Sequence, residues 1–317
     1  SSGGVSDRGR AELLLTLEED FGIAEVLDAP SYDLQCRLIN ARLWDRSVPD
    51  TCPRPVYVED EQVAAVLLSR DLHDTHSLIY PLIFDPDIRA QLVRALDGVP
   101  TCWRTSLLEN GDQRGGSHLF WALSPKGHRV PVVLRPGCGS DRLVEMSAGG
   151  DSRSWDVSPE PLTEAVAEGE LLPTAPLSFM AVSFARGIAC VGGFYQFDYL
   201  PRIYAAVRTT LDQWGLRSRL AEVPTDYYLA GIQPILARDP SGSCIPLGPV
   251  ALAADGPLTE DEIGAMLRMA MGEAQTAAMA EILGELLAVR EVARSDARLL
   301  DEALTAARTV VIRELAP

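Results

Sequence analysis

Near residue 118 the spacing of apolar side chains switches from helical to strand-like, which limits the chain to folds that mix the two. The runs His118-Leu119-Phe120-Trp121-Ala122-Leu123 and Arg129-Val130-Pro131-Val132-Val133-Leu134 are apolar and β-favouring, and Ser124-Pro125-Lys126-Gly127 separates them as a turn. A hairpin follows from that pattern. Pro131, which has no N–H to donate, places the second run at a sheet edge or on a bulge. Residues 142–146 read as a third strand. Before the switch the pattern is helical: Leu13, Leu14, Leu17 and Phe21 recur near a helical period, and so do Leu34, Leu38, Ile39 and Leu43 after Pro30. Residues 59–72 continue it, and Asp85-Pro86 opens a helix to about Leu96 with a cap and a proline at the first helical position. After the switch, Ser158-Pro159 starts another helix, and 199–214 reads as one closed by Gly215. Thr259 with Glu262 is a capping-box signature. The expected fold is mixed α/β. It comprises a helical N-terminal region (1–100), an α/β core (101–257) with a small central sheet, and a C-terminal helical hairpin or arm (258–317) packed as one unit with the core.

Length and composition narrow the class. A chain of 317 residues, 47% hydrophobic and 23% charged, can bury a substantial core and is neither disordered nor a disulfide scaffold. Its 28 Lys+Arg against 45 Asp+Glu give a net charge of −17, which repels phosphate backbones and argues against nucleic-acid binding. Lys126 is the only lysine and sits in a turn, so Schiff-base chemistry with PLP is disfavoured. Six cysteines lie tens of residues apart with no C-x-x-C pair. With no signal-peptide pattern and no apolar run of about 18 residues, a reduced cytoplasmic setting and no membrane partner are expected.

Two constellations can carry chemistry. In Asp71-Leu72-His73-Asp74-Thr75-His76, imidazoles three apart can share a helix face, and Asp71 or Asp74 can add an oxygen, a set suited to Zn, Fe or Mn. The plainer reading is a solvated helix end. His118 and His128 are its distant candidate partners or ordinary strand residues. The second constellation runs from Arg186 to Tyr199 through Cys190, Gly192-Gly193, Gln196 and Asp198. If an inner strand ends at the glycine pair and a helix starts near Asp198, a ligand can approach the backbone there. Arg186 would hold a carboxylate or phosphate, Gln196 and Asp198 would orient an amine or hydroxyl, and Cys190 would be the nucleophile if its thiolate were favoured. The plainer reading makes Cys190 a core residue and Asp198 a helix cap. Neither G-x-G-x-x-G nor a Walker A pattern occurs. Tyr228 is a candidate pocket-lining residue.

The Leu119-Phe120 strand followed by Arg129, the Trp155 and Leu162 helix, the Pro173 segment, Val191-Gly192-Gly193 before Tyr199 and the long helical tail resemble the C-terminal half of the bacillithiol-synthesis cysteine-adding enzymes. The resemblance covers about half the chain, and that family's N-terminal Gly/Gln-rich substrate motif has no counterpart. It implies a Rossmann-like core with a helical arm, and a role joining an amino acid or thiol to a small metabolite. The leading expectation for the chain is an enzyme of small-molecule biosynthesis catalysing a condensation or group transfer onto an amino-acid-like, thiol or amine substrate, with its site around Arg186, Gly192, Gly193, Gln196 and Asp198. The alternatives are a metal-dependent enzyme using His73 and His76, and a non-catalytic interaction protein. The helical arm is also a candidate homodimer surface.

Overall fold

The structure, a computed structural model, describes residues 7–137, 139–146, 152–193, 196–224, 236–242, 244–248, 252, 256–270, 272–274, 276–277 and 294–314. The chain divides into two compact units, Ser1–Val58 with Ile232–Pro317, and Glu59–Gly231. These boundaries cut across the three sequence blocks 1–100, 101–257 and 258–317. The fold is mixed α/β, and no helix among the described residues is long and apolar enough to cross a membrane.

In the first unit, α1 (Asp7–Thr16) runs into a π-helical turn (Leu17–Phe21), followed by α2 (Ala24–Leu27) and α3 (Tyr32–Ser47). Arg42 and Arg46, four apart on α3, share a face and meet the buried Asp20 at 3.4 and 2.6 Å. That ion cluster anchors the turn. The apolar residues expected to form an inner stripe do not: Leu14 and Leu17 remain about half exposed. At the other end of the sequence, Leu236–Arg238 pairs antiparallel with Cys244–Pro246 and parallel with Arg313–Glu314. The capping box of the helix Glu260–Arg268 forms as expected, and Arg313 grips its Glu262 through two bonds of 2.6 Å. A further helix spans Arg294–Thr309; residues 278–293, central to the expected arm, lie outside the described residues.

The second unit holds the larger core. Its helices are α4 (Asp60–Asp71), α5 (Ile79–Phe84), α6 (Pro86–Leu96), α7 (Thr105–Glu109), α8 (Pro159–Ala167), α9 (Ala175–Ser178) and α10 (Gln196–Gln213). Its strands are β1 (Phe120–Leu123), β2 (Arg129–Arg135), β3 (Arg142–Glu145), β4 (Ser154–Asp156) and β5 (Leu171–Pro173), in the order β4-β3-β2-β1-β5. Every pairing is antiparallel, so the parallel Rossmann-like sheet implied by the resemblance is not what these strands build. The hairpin forms where the sequence placed it, with Trp121 opposite Pro131 and Gly127 at φ +76° in the turn. β2 is nevertheless an inner strand. Pro131 is tolerated because the β2–β3 register starts one residue later, at Val132, and its carbonyl still accepts from the Met146 N–H.

The apolar segment after β5 is also rearranged. Instead of an inner strand reaching Gly192-Gly193, the chain forms α9, then a π-helical turn over Phe179–Phe184, and reverses at Gly187 (φ +70°). Leu177, Met180, Ala181 and Phe184 fall three to four residues apart and bury one helical face, whereas Ile188 and Val191 are exposed. α10 starts at Gln196 and stops as expected, with Gly215 in the left-handed region (φ +68°) and the Leu216 N–H reaching back to the Leu211 carbonyl.

Candidate functional site

The segment 186–199 is closed onto the π-helical turn by two side chains. Ser183 donates to the Ile188 carbonyl at 2.6 Å, and the buried Gln196 donates through Nε2 to the Cys190 carbonyl at 2.6 Å. Gly192 lies directly against the same amide. A Cβ there would stand 1.9 Å from Gln196 Oε1, so a larger residue would displace the Gln196 amide from its bond to the Cys190 carbonyl. Cys190, Gln196, Gly192 and Tyr199 are thus brought together, with the Phe179 and Tyr199 rings 5.9 Å apart at one side.

The electrostatics there favour protonated groups. Burial pushes the Cys190 thiol up, a hydrogen bond with the Ser183 side chain pulls the other way, and the Asp60 charge adds to the rise. Burial likewise raises the Tyr199 phenol, reinforced by Cys190. A thiol held in the protonated state is a weak nucleophile and a weak hydrogen-bond donor. The thiol and phenol therefore form a small donor pair beside the Ser183 hydroxyl, whose own proton goes to the Ile188 carbonyl.

Other expected members are elsewhere or otherwise engaged. Arg186 does not await a ligand: its guanidinium forms a two-pronged pair with Asp71 at 2.8 and 2.9 Å and also donates to the Ala181 carbonyl. Asp198 sits in the first turn of α10, bonded to Arg202 at 2.6 Å, the arrangement of a helix-start acid with an i,i+4 partner. A Cβ at Gly193 would meet nothing, so no close approach needs that glycine. Tyr228 lies outside the described residues.

The Asp71–His76 cluster is likewise revised. α4 ends at Asp71, so His73 and His76 lie exposed in the turn beyond it, not on one helix face. Asp71 is consumed by Arg186. Among the described residues no three His, Cys, Asp or Glu side chains converge as metal ligands. His118 lies just before β1 and is tied to β2: its Nδ1 accepts from the Leu134 N–H at 3.1 Å, and its ring meets Trp103 edge-on.

Sequence reasoning missed Ser183, Phe179 and Asp60. A serine inside the apolar run Phe-Met-Ala-Val-Ser-Phe was a readable signal, since a buried hydroxyl requires a partner. Asp60 carried none, being one of several acids at the start of a helix. Compared with known protein families, curated proteins and solved structures, the chain finds no match.

Proposed function

We propose that the protein is an enzyme of small-molecule biosynthesis that catalyses a condensation or group transfer onto an amino-acid-like, thiol or amine substrate at the Cys190–Tyr199 turn. The observation that supports this reading is the gathering of Cys190, Ser183, Gln196 and Tyr199 around one turn, with Gly192 against the Gln196 amide. In this reading Gln196 positions the turn, and the Cys190 thiol and Tyr199 phenol act as donors that orient the substrate and hand over a proton as charge develops. Cys190 serves as a thiol, not as a thiolate nucleophile. The resemblance to the cysteine-adding enzymes favours the same substrate chemistry, and the net charge of −17 favours a small partner over nucleic acid.

The test is metabolite turnover. Purified protein is incubated with a small-molecule cell extract, and mass spectrometry follows which masses are consumed and formed. A product dependent on the protein should fall about 100-fold in rate in Tyr199→Phe, the scale of a lost proton donor, with the fold intact by circular dichroism. Undiminished turnover in Tyr199→Phe together with Cys190→Ala, or no change in any mass, would refute the assignment.

A further inference from the structure

Beside α4 lies a groove of about 680 Å³, within the size range of small-molecule sites and separate in its lining from the turn described above. Its walls are one side of α4, the end of α8 and β5, with Ala65, Val66, Val166 and Leu172 as apolar surface. Val66, in the middle of α4, is 58% exposed and supplies apolar surface to the groove. The charges around this apolar surface are unbalanced. Arg129 is spent on Glu61, an ion pair that neutralises itself at the groove's edge. That leaves Glu59 and Glu168 as carboxylates with no ion-pair partner among the described residues.

The backbone adds to the same sign. Val166, Ala167 and Glu168 are the last turn and cap of α8, so the negative end of that helix faces the groove. An anionic ligand would meet two carboxylates and a helix C-terminus. A purely apolar ligand would leave both carboxylates unanswered. We infer that this groove binds a small molecule with a protonated amine on an apolar body, the ammonium held near Glu168 and the end of α8 and the body laid on Ala65, Val66 and Leu172. Primary alkyl amines are protonated at neutral pH, as the lysine side chain is. The inference concerns binding alone and does not depend on the reaction proposed above.

The experiment titrates the full chain with a series of primary alkyl- and phenylalkyl-amines and, in parallel, with the matching carboxylates. Thermal unfolding and calorimetry are the readouts, so failure of the turnover assay and failure of this site are told apart. The amines should raise Tm in a saturable, salt-weakened manner, the effect growing with apolar length, while the carboxylates leave it unchanged. The double variant Glu59→Gln/Glu168→Gln should weaken amine binding roughly tenfold, because two exposed charges each contribute modestly. Val66→Arg, which places a cation on the groove's apolar surface, should abolish binding without unfolding the protein. Three outcomes would overturn the inference: no stabilisation by any amine up to about 10 mM, equal stabilisation by amines and carboxylates, or unchanged affinity in both variants.

Discussion

His118 works as a neutral bridge, and that makes the stability of the second unit sensitive to acid. Burial holds its imidazole down at about 4 from an ordinary 6.5, with Asp97 opposing the shift and Arg135 adding to it. Because the Leu134 N–H donates to Nδ1, the ring's proton sits on Nε2, 3.4 Å from the Thr105 hydroxyl. Protonating Nδ1 would set two donors against each other. Between pH 6.5 and 4 the unfolded chain binds a proton that the folded chain refuses. Stability is therefore complete above pH 6.5 and is lost progressively as pH falls toward 4, by roughly 3 kcal/mol at most. Urea unfolding at a series of pH values should show this slope, and His118→Asn, whose Oδ1 can accept from Leu134, should flatten it. An unchanged slope would assign the acid sensitivity to other groups. The identity of such residues was legible in the sequence, their partners were not. Arg186 drew attention as a cation beside a glycine turn, but its partner Asp71 lies 115 residues away, and no local pattern connects them.

Elements whose boundaries are set by local chemistry were readable; those decided by tertiary packing were not. Asp85 accepts from the Asp87 and Ile88 N–H groups at 3.0 Å each, with Pro86 at the first helical position, and each of these partners lies within three residues. The Thr259 box and the Gly127 and Gly215 turns are local in the same sense. The Pro173–Gly193 stretch is different. A short apolar run fits a buried strand or a helix face equally well, and the packing of Met180, Ala181 and Phe184 decides between them. The π-helical turn there adds a residue to the helical repeat, which blurs the period further. The local origin of the α6 start makes a sharp prediction. Asp85→Ala should destabilise the protein by about 1 kcal/mol, while Asp85→Asn, which keeps the acceptor, should cost a few tenths. Equal losses in the two variants, measured by urea unfolding, would show that the charge matters more than the hydrogen bonds.

For the whole molecule, the arrangement of cores matters more than the order of elements. The residues 59–231 form one contiguous stretch with its own core, from Leu68 and Ile79 through Phe120 and Leu143 to Leu211 and Leu220. The other unit joins both ends of the sequence around two small clusters, one of them only Leu236, Ala277, Ala307 and Val310. Composition could not reveal this division, because apolar content is similar along the chain and the boundary at Val58 carries no linker signature of its own. The Pro-rich stretch 49–55 lies a few residues before it and reads as a break between two helices of one region. A fragment of about 170 residues lies well within the size of independently folding domains. Expressed alone, residues 59–231 should give a monomer that unfolds cooperatively in urea and retains the His118 acid slope, since Thr105, Leu134, Asp97 and Arg135 all lie inside it. The complementary ends, with smaller clusters and a chain break between them, should not fold when mixed without it. A 59–231 fragment that is unfolded or aggregated would mean that its core depends on the chain termini, and the two units would then be one cooperative body.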